Sequence, residues 1–100
     1  MPTFILMTRL ATENLQDAHV RRALGKEWIA KVRKLCPEVK FLAHYALLGP
    51  YDFMDIYEAP DVETAHHVSL ISRAEGATTA ESWQAMPYEE HLKLLDRIEG

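Results

Sequence analysis

The two side chains whose types and spacing best suit chemistry are His44 and Asp55. They lie on either side of Leu48-Gly49-Pro50-Tyr51, where Gly49 and Pro50 suit a tight turn. With that segment as a hairpin turn, antiparallel pairing sets His44 directly opposite Asp55, and Tyr57 follows on the same face. A carboxylate beside an imidazole favours the charged ring and orients it, which is what a general base or a ligand-holding pair requires. The same pairing also serves a structural end, because burying either group alone is costly. A working acid/base pair and a satisfied pair that sets the register of an interface are both open readings. A slip of one residue in the hairpin would send the two side chains to opposite faces.

The other polar residues offer less. His66 and His67 are neighbours in a helical stretch, so they point about 100° apart and do not converge on one metal. No group of Cys and His has zinc spacing, and no metal site is expected. His19 begins a helix and reads as exposed, whereas His91 borders the apolar side of the last helix, where a lid role is the alternative. Cys36 has no base near it in sequence and reads as a packing residue. Glu81 and Trp83 share a parity on the last strand, and Arg9 can join them from the first. There is neither a Gly-rich phosphate loop nor a Gly-x-Ser-x-Gly elbow.

These residues need elements to place them. Thr3 to Leu10 is rich in β-formers and predicts a strand. From about Leu15 to Leu35, apolar residues at Leu24, Trp28, Val32 and Leu35, flanked by Ile29 and Cys36, have helical spacing with basic residues between, and Pro37 stops the run. Val39 to Leu48 and Tyr51 to Glu58 read as the two strands of the hairpin. Asp61 suits the N-cap of a helix that reaches Gly76, with a stripe through Val62, Ala65 and Ser69 that leaves Leu70 and Ile71 for a further contact. Ala77 to Ala85 reads as a strand, and Pro87 as the first position of a short terminal helix. The order βαββαβ, with one hairpin in its middle, predicts an α+β, ferredoxin-like antiparallel sheet with helices on one face.

Alternation sorts the hairpin into two faces. Phe41, Ala43, Tyr45 and Leu47, with Met54 and Ile56, form an almost wholly apolar face that is expected against the helices. Leu42, His44, Ala46 and Leu48, with Phe53, Asp55 and Tyr57, form an apolar face with polar groups set into it. A sheet face open to water is mostly polar, and monomers rarely expose a wide apolar patch. The second face is therefore expected to be covered. A two-fold copy is the commonest cover, and two such sheets would enclose a cavity. The alternative cover is the terminal helix, folded back through Leu92 and Leu95.

Composition bounds the rest. One domain accounts for 100 residues, and burial against a partner would help so small a core. Apolar residues make up 48% and the formal net charge is −4, so no basic footprint for nucleic acid is present. The single cysteine rules out an intrachain disulfide and fits a reducing compartment. Met1 to Met7 is apolar but short and lacks a positive leader, so it does not read as a signal peptide. No stretch approaches the roughly 20 apolar residues that span a membrane. The cytoplasm is the expected location.

The hairpin and its sequel also carry a resemblance. Leu48-Gly49-Pro50-Tyr51-Asp52-Phe53, followed by Ile56, Glu58-Ala59-Pro60-Asp61 and a helix, resembles the GYD domain family, with a proline between Gly49 and Tyr51 of the signature. Met1-Pro2-Thr3 and Thr78-Thr79 fit as well, so the likeness covers most of the chain, which reads as a single GYD-like domain over residues 1–100 with 86–100 as a C-terminal helical extension longer than the usual family ending. The resemblance implies a dimeric α+β barrel and a function that is largely unassigned. Asp52 reads as a residue that bonds turn amides, not a catalytic one.

Three functions compete. The first is a homo-oligomeric binder of a small, mostly apolar molecule between facing sheets, with Leu42, Phe53, Tyr57 and Trp83 as contacts. The second is a cofactor-independent enzyme, monooxygenase- or isomerase-like by fold analogy alone, with His44 as acid/base and Asp55 orienting it. The third is a non-catalytic assembly module. No motif requires a cofactor, and haem on His44 or His91 is the lesser alternative. The expected partners are a second copy, as a homodimer or a multiple of it, and a small ligand. Neither nucleic acid nor membrane is expected.

Overall fold

Each element begins and ends for a local reason. β1 (Thr3–Leu10) and β4 (Ala77–Ala85) have the bounds that their β-forming residues predict. A single turn, α1 (Thr12–Leu15), precedes α2 (Ala18–Leu35). The Asp17 carboxylate accepts from the amides of His19 at 2.8 Å and Val20 at 3.4 Å, so α2 starts after this cap and not at Leu15. β2 (Lys40–Ala46) and β3 (Phe53–Glu58) are joined by a loop closed by the Leu47 amide donating to the Asp52 carbonyl at 2.8 Å. α3 (Val62–Ala74) is capped by Asp61, which accepts from the amide and hydroxyl of Thr64, both at 2.7 Å, and these bonds hold its carboxyl below the ordinary range. Gly76, at φ 112°, turns the chain out of α3 in a conformation that suits glycine. α4 (Tyr88–Glu99) ends the chain.

The computed structural model describes residues 1–15 and 17–99. Among them, the strands form one four-stranded sheet in the order β2-β3-β1-β4, antiparallel throughout. This is the ferredoxin-like α+β arrangement, with α2 and α3 on one face. No helix among the described residues is long and apolar enough to cross a membrane.

The core lies between that face and the two helices. Phe4 and Leu6 of β1 and Tyr57 of β3 meet Val32 and Cys36 of α2 and Ala65, Val68 and Ile71 of α3. The Phe4 and Tyr57 rings stack at 5.6 Å. The α3 stripe therefore runs through Ala65, Val68, Ile71 and Ser72, while Val62 and Leu70 are exposed. The expected stripe through Val62 and Ser69 lies too far round the helix, because Ile71 turns inward.

A larger correction concerns the hairpin. His44 does face Asp55 across β2 and β3, but their face is the one that packs on the helices. Asp55 and Tyr57 are buried beneath α2 and α3, whereas Met54 and Ile56 lie on the opposite face. Both faces are apolar, so alternation identified which residues travel together but not which set meets the helices. A β-bulge between Phe41 and Ala43 completes the picture. It turns Phe41 to the helix side with His44 and leaves Leu42 exposed.

The other sheet face carries Ile5, Met7, Met54, Ile56, Tyr45 and Trp83, and no helix lies over it. α4 is amphipathic, but it packs on no other element to any extent and none of its described residues is buried. Its projection shows in the longest dimension, 55 Å, and in a radius of gyration of 15.4 Å. A compact domain of this length has about 13 Å. Leu92 and Leu95 thus do not fold back onto the sheet.

Candidate functional site

A cavity of about 580 Å³ opens between the first half of α2, the sheet and the end of α3. That is within the range of small-molecule sites, roughly 300–1,000 Å³. Its walls are apolar: Leu24, Trp28 and Ile29 of α2, Phe41 of β2 and Phe53 of β3, with Leu10 and Ala77 at the sheet end. Thr8, Ser72 and Glu75 add polar groups, and Arg21, Arg22, Gly25 and Lys26 line the α2 side.

His44 and Asp55 form the polar centre of this cavity. His44 Nδ1 bonds Asp55 Oδ1 directly. The Asp55 carboxyl is 3% exposed, while the His44 side chain is 56% exposed and turns toward the opening. Its ring is stacked 5.6 Å from Phe53 and 6.3 Å from Trp28. Burial pushes the Asp55 carboxyl above its ordinary range, and the neighbouring His44 pulls it partly back. An aromatic slot around a ring whose orientation a buried carboxylate holds can grip an apolar molecule and exchange one hydrogen bond or proton with it.

The sequence-derived contacts divide. Phe53 lines the cavity with His44 and Asp55. Tyr57 lies deeper, fully buried, with its hydroxyl 2.8 Å from Ser82 Oγ; burial pushes its phenol up to about 12, so it is a neutral core group. Leu42 sits on the bulge, exposed, and Trp83 is on the open face opposite Ile5. These last three do not meet the His44–Asp55 pair in one pocket: Tyr57 shares its face but lies deeper in the core, the bulge turns Leu42 away, and Trp83 is on the opposite face.

Two features escaped the sequence. Trp28 Nε1 donates to Ser72 Oγ at 2.8 Å, tying α2 to α3 across the cavity's inner end. Cys36 Sγ lies 3.5 Å from His67 Nδ1 of α3, so a base does stand near the thiol in space. Burial nevertheless raises the Cys36 thiol, which keeps it protonated and a packing group. Among the described residues, no three His, Cys, Asp or Glu side chains group as metal donors.

The Tyr51-Asp52 segment does a different job. The Leu10 amide donates to Asp52 Oδ2 at 2.8 Å, and the Asp52 amide donates to the Thr8 carbonyl at 2.8 Å. Together they fasten the start of β3 to the end of β1, where the β1–β4 register shifts. The Tyr51 hydroxyl donates to Glu81 at 3.0 Å, and this bond holds its phenol above the ordinary range. Trp83 Nε1 donates to the same carboxylate at 2.9 Å, and the Arg9 guanidinium lies 5.6 Å from the Tyr51 ring. Arg9, Glu81 and Trp83 thus meet, as their parity predicts, around a residue of the turn.

Known proteins share this plan. The crystal structure of a Thermus thermophilus protein superposes with a TM-score of 0.57 at 26% identity, covering 87% of this chain and 95% of that one. MtbAldR superposes with a TM-score of 0.61 at 15% identity; the match covers 86% of this chain but only 52% of that protein, and it shows the fold alone. A Thermus thermophilus protein named "Glutamine synthetase and cystathionine beta-lyase binding protein" is 30% identical over 98 residues, 95% of this chain and 99% of that protein. The family described as GYD domain matches residues 4–95, a span that takes in the Gly49-Pro50-Tyr51-Asp52 turn and both of its anchor strands. On that match, and on the fold beneath it, the chain belongs to the GYD domain family.

Proposed function

We propose that this protein is a homo-oligomeric binder of a small, mostly apolar molecule, held in the cavity between α2 and the sheet. The observation that supports this reading is the pairing of His44 with Asp55 inside an apolar cavity of about 580 Å³. The open sheet face, with Ile5, Met54 and Ile56 partly exposed and Tyr45 and Trp83 about half exposed, serves as the contact between copies. The ligand site and the assembly surface are then on opposite sides of the sheet, not in one space between facing sheets.

Native mass spectrometry of gently purified protein, beside a denatured run, tests both halves. A dimer or higher multiple carrying a small mass that leaves on denaturation is the expected result. A bare monomer would defeat the assembly half, and failure of any apolar ligand to protect the cavity from exchange would defeat the other.

Two further readings rest on specific observations. The relative's name is that of a protein that binds two enzymes, and α4 with the open sheet face offers unused surface for a protein partner. An assembly module of that kind would keep its function when the cavity is filled. An enzyme reading rests on His44, half-exposed at the cavity with its orientation held by Asp55. His44→Ala would abolish turnover under that reading and leave the oligomer intact under all three, because His44 is not on the open face.

A further inference from the structure

The charge around the cavity is unevenly satisfied. Each acid on its wall already has a partner: Asp55 bonds His44, and Glu75 accepts from Lys31 Nζ at 2.8 Å. Ser72 is engaged as well, accepting from Trp28 and donating to the Val68 carbonyl at 2.9 Å. Arg21, Arg22 and Lys26 stand apart from this. All three line the cavity, all three are exposed, and none makes an ion pair among the described residues. The chain as a whole carries −4, so three cations at one opening, without an ion pair among the described residues, run against its general charge.

Gly25 lies among them, in the interior of α2. Glycine is a poor helix former, and nothing local calls for it here. Its φ is not positive, and a Cβ built on it would meet nothing within 4 Å. It lines the cavity with Arg21, Arg22 and Lys26, and the space a side chain would enter there is open.

We infer that the cavity takes an amphiphilic anion, its apolar body against Phe53 and Trp28 and its acidic head at the opening among Arg21, Arg22 and Lys26, with Gly25 as the aperture. This inference rests on the ligand-binding reading above and specifies the ligand's class. A cationic head would find no unpaired carboxylate among the described residues of the cavity. A neutral head would forgo the charge-assisted bonds that arginine makes to a carboxylate or phosphate. The half-exposed His44 can serve a polar group further along the ligand.

Three probes with one tail separate the alternatives: decanoate, decanol and decylammonium, each titrated by calorimetry into the full chain below its aggregation concentration. Decanoate should bind at least about tenfold more tightly than decanol, as expected from one or more charge-assisted bonds, and decylammonium the least. A variant with Arg21, Arg22 and Lys26 all changed to Gln should lower decanoate to the level of decanol and leave decanol unchanged. Gly25→Leu should raise the thermal midpoint, because it removes a helix-interior glycine, and yet weaken both probes. If decanol matches decanoate while Gly25→Leu still blocks both, the anion inference fails and the cavity reading stands. If no probe binds, or if Gly25→Leu leaves binding unchanged, the cavity reading itself is overturned and the inference falls with it.

Discussion

The two faces of the sheet are built from similar amounts of apolar side chain and treat polar groups in opposite ways. On the covered side, polar side chains are drawn into bonds between elements: Tyr57 to Ser82, Asp55 to His44, Trp28 to Ser72. Among the described residues, no buried side-chain nitrogen or oxygen lacks a partner. On the open face, the polar groups gather at one end as the Arg9, Tyr51, Glu81 and Trp83 cluster and leave Ile5, Met54 and Ile56 as an apolar field. Polar residues are thus no guide to which face is inside. A buried polar group is tolerated when it is bonded, and an apolar field in water is tolerated when something covers it.

The sharpest way to break this contrast is to truncate one residue on each side. Leu6 is fully buried on the covered face, and Leu6→Ala should cost about 3 kcal/mol, within the usual span for such cavities. The loss should not depend on protein concentration. Ile5→Ala on the open face should cost less, and its cost should grow with concentration, since it is felt only where copies meet. Urea denaturation at two concentrations measures both. Equal, concentration-independent losses would mean that the open face is not an interface.

Ile56→Lys sharpens the same point. If the proposed copies meet through this face, a lysine in the apolar field would place a charge between them, and their dissociation constant should rise by at least about tenfold. The monomer's own stability should move by no more than about 0.5 kcal/mol, as for other surface changes. Sedimentation velocity over a dilution series reads the first quantity and urea titration of the dilute protein the second.

Much of this contrast was legible in the sequence, and the part that was not has a definite cause. Thr3 to Leu10 and Ala77 to Ala85 have the ends that their residue types predict, and Asp61 and Gly76 bound α3 as cap and exit. The opposition of His44 and Asp55 followed from the Gly49-Pro50 turn, because a hairpin's register is local. Which side of the hairpin meets the helices is not local. It is decided by contacts such as Phe4 with Tyr57 and Trp28 with Ser72, which join elements far apart in sequence. The bulge at Leu42 likewise breaks the alternation without a glycine or proline to announce it. The cavity is assembled from α2, all four strands and the end of α3, so no single segment carries its pattern.

The His44–Asp55 pair joins the covered face to solvent, and pH tests that position. A carboxyl raised by burial binds its proton more tightly in the folded chain than in the unfolded one. The fold therefore loses stability as pH climbs from the ordinary carboxylate range through the raised value, and the loss is constant above it. Asp55→Asn should gain on the parent across that window. His44→Ala removes the group that pulls the carboxyl back, so the window should extend upward, and the variant should lose about 1–3 kcal/mol at neutral pH and less in acid. Denaturant midpoints from pH 3.5 to 7.5, roughly the span of carboxyl and imidazole titration, follow both. A His44→Ala loss that is the same at both ends of the range would mean that Asp55 does not depend on His44 as its partner.

The smallest effect is expected at Asp52, where the contrast between structural and chemical roles is most exposed to test. Its carboxylate accepts from the Leu10 amide at the place where β1 shifts register against β4. Asp52→Ala removes one part-buried bond and should cost about 1 kcal/mol. Asp52→Asn retains an acceptor oxygen at the same reach and should recover most of that loss, because the bond needs a lone pair and not a charge. Amide hydrogen exchange at Leu10 gives the local readout: fast in the alanine variant, near the parent rate in the asparagine variant. Neither change should alter ligand binding in the cavity, since Asp52 is not among its lining residues. Loss of binding in the asparagine variant, with Leu10 still protected, would give the turn aspartate a role beyond fastening two strands.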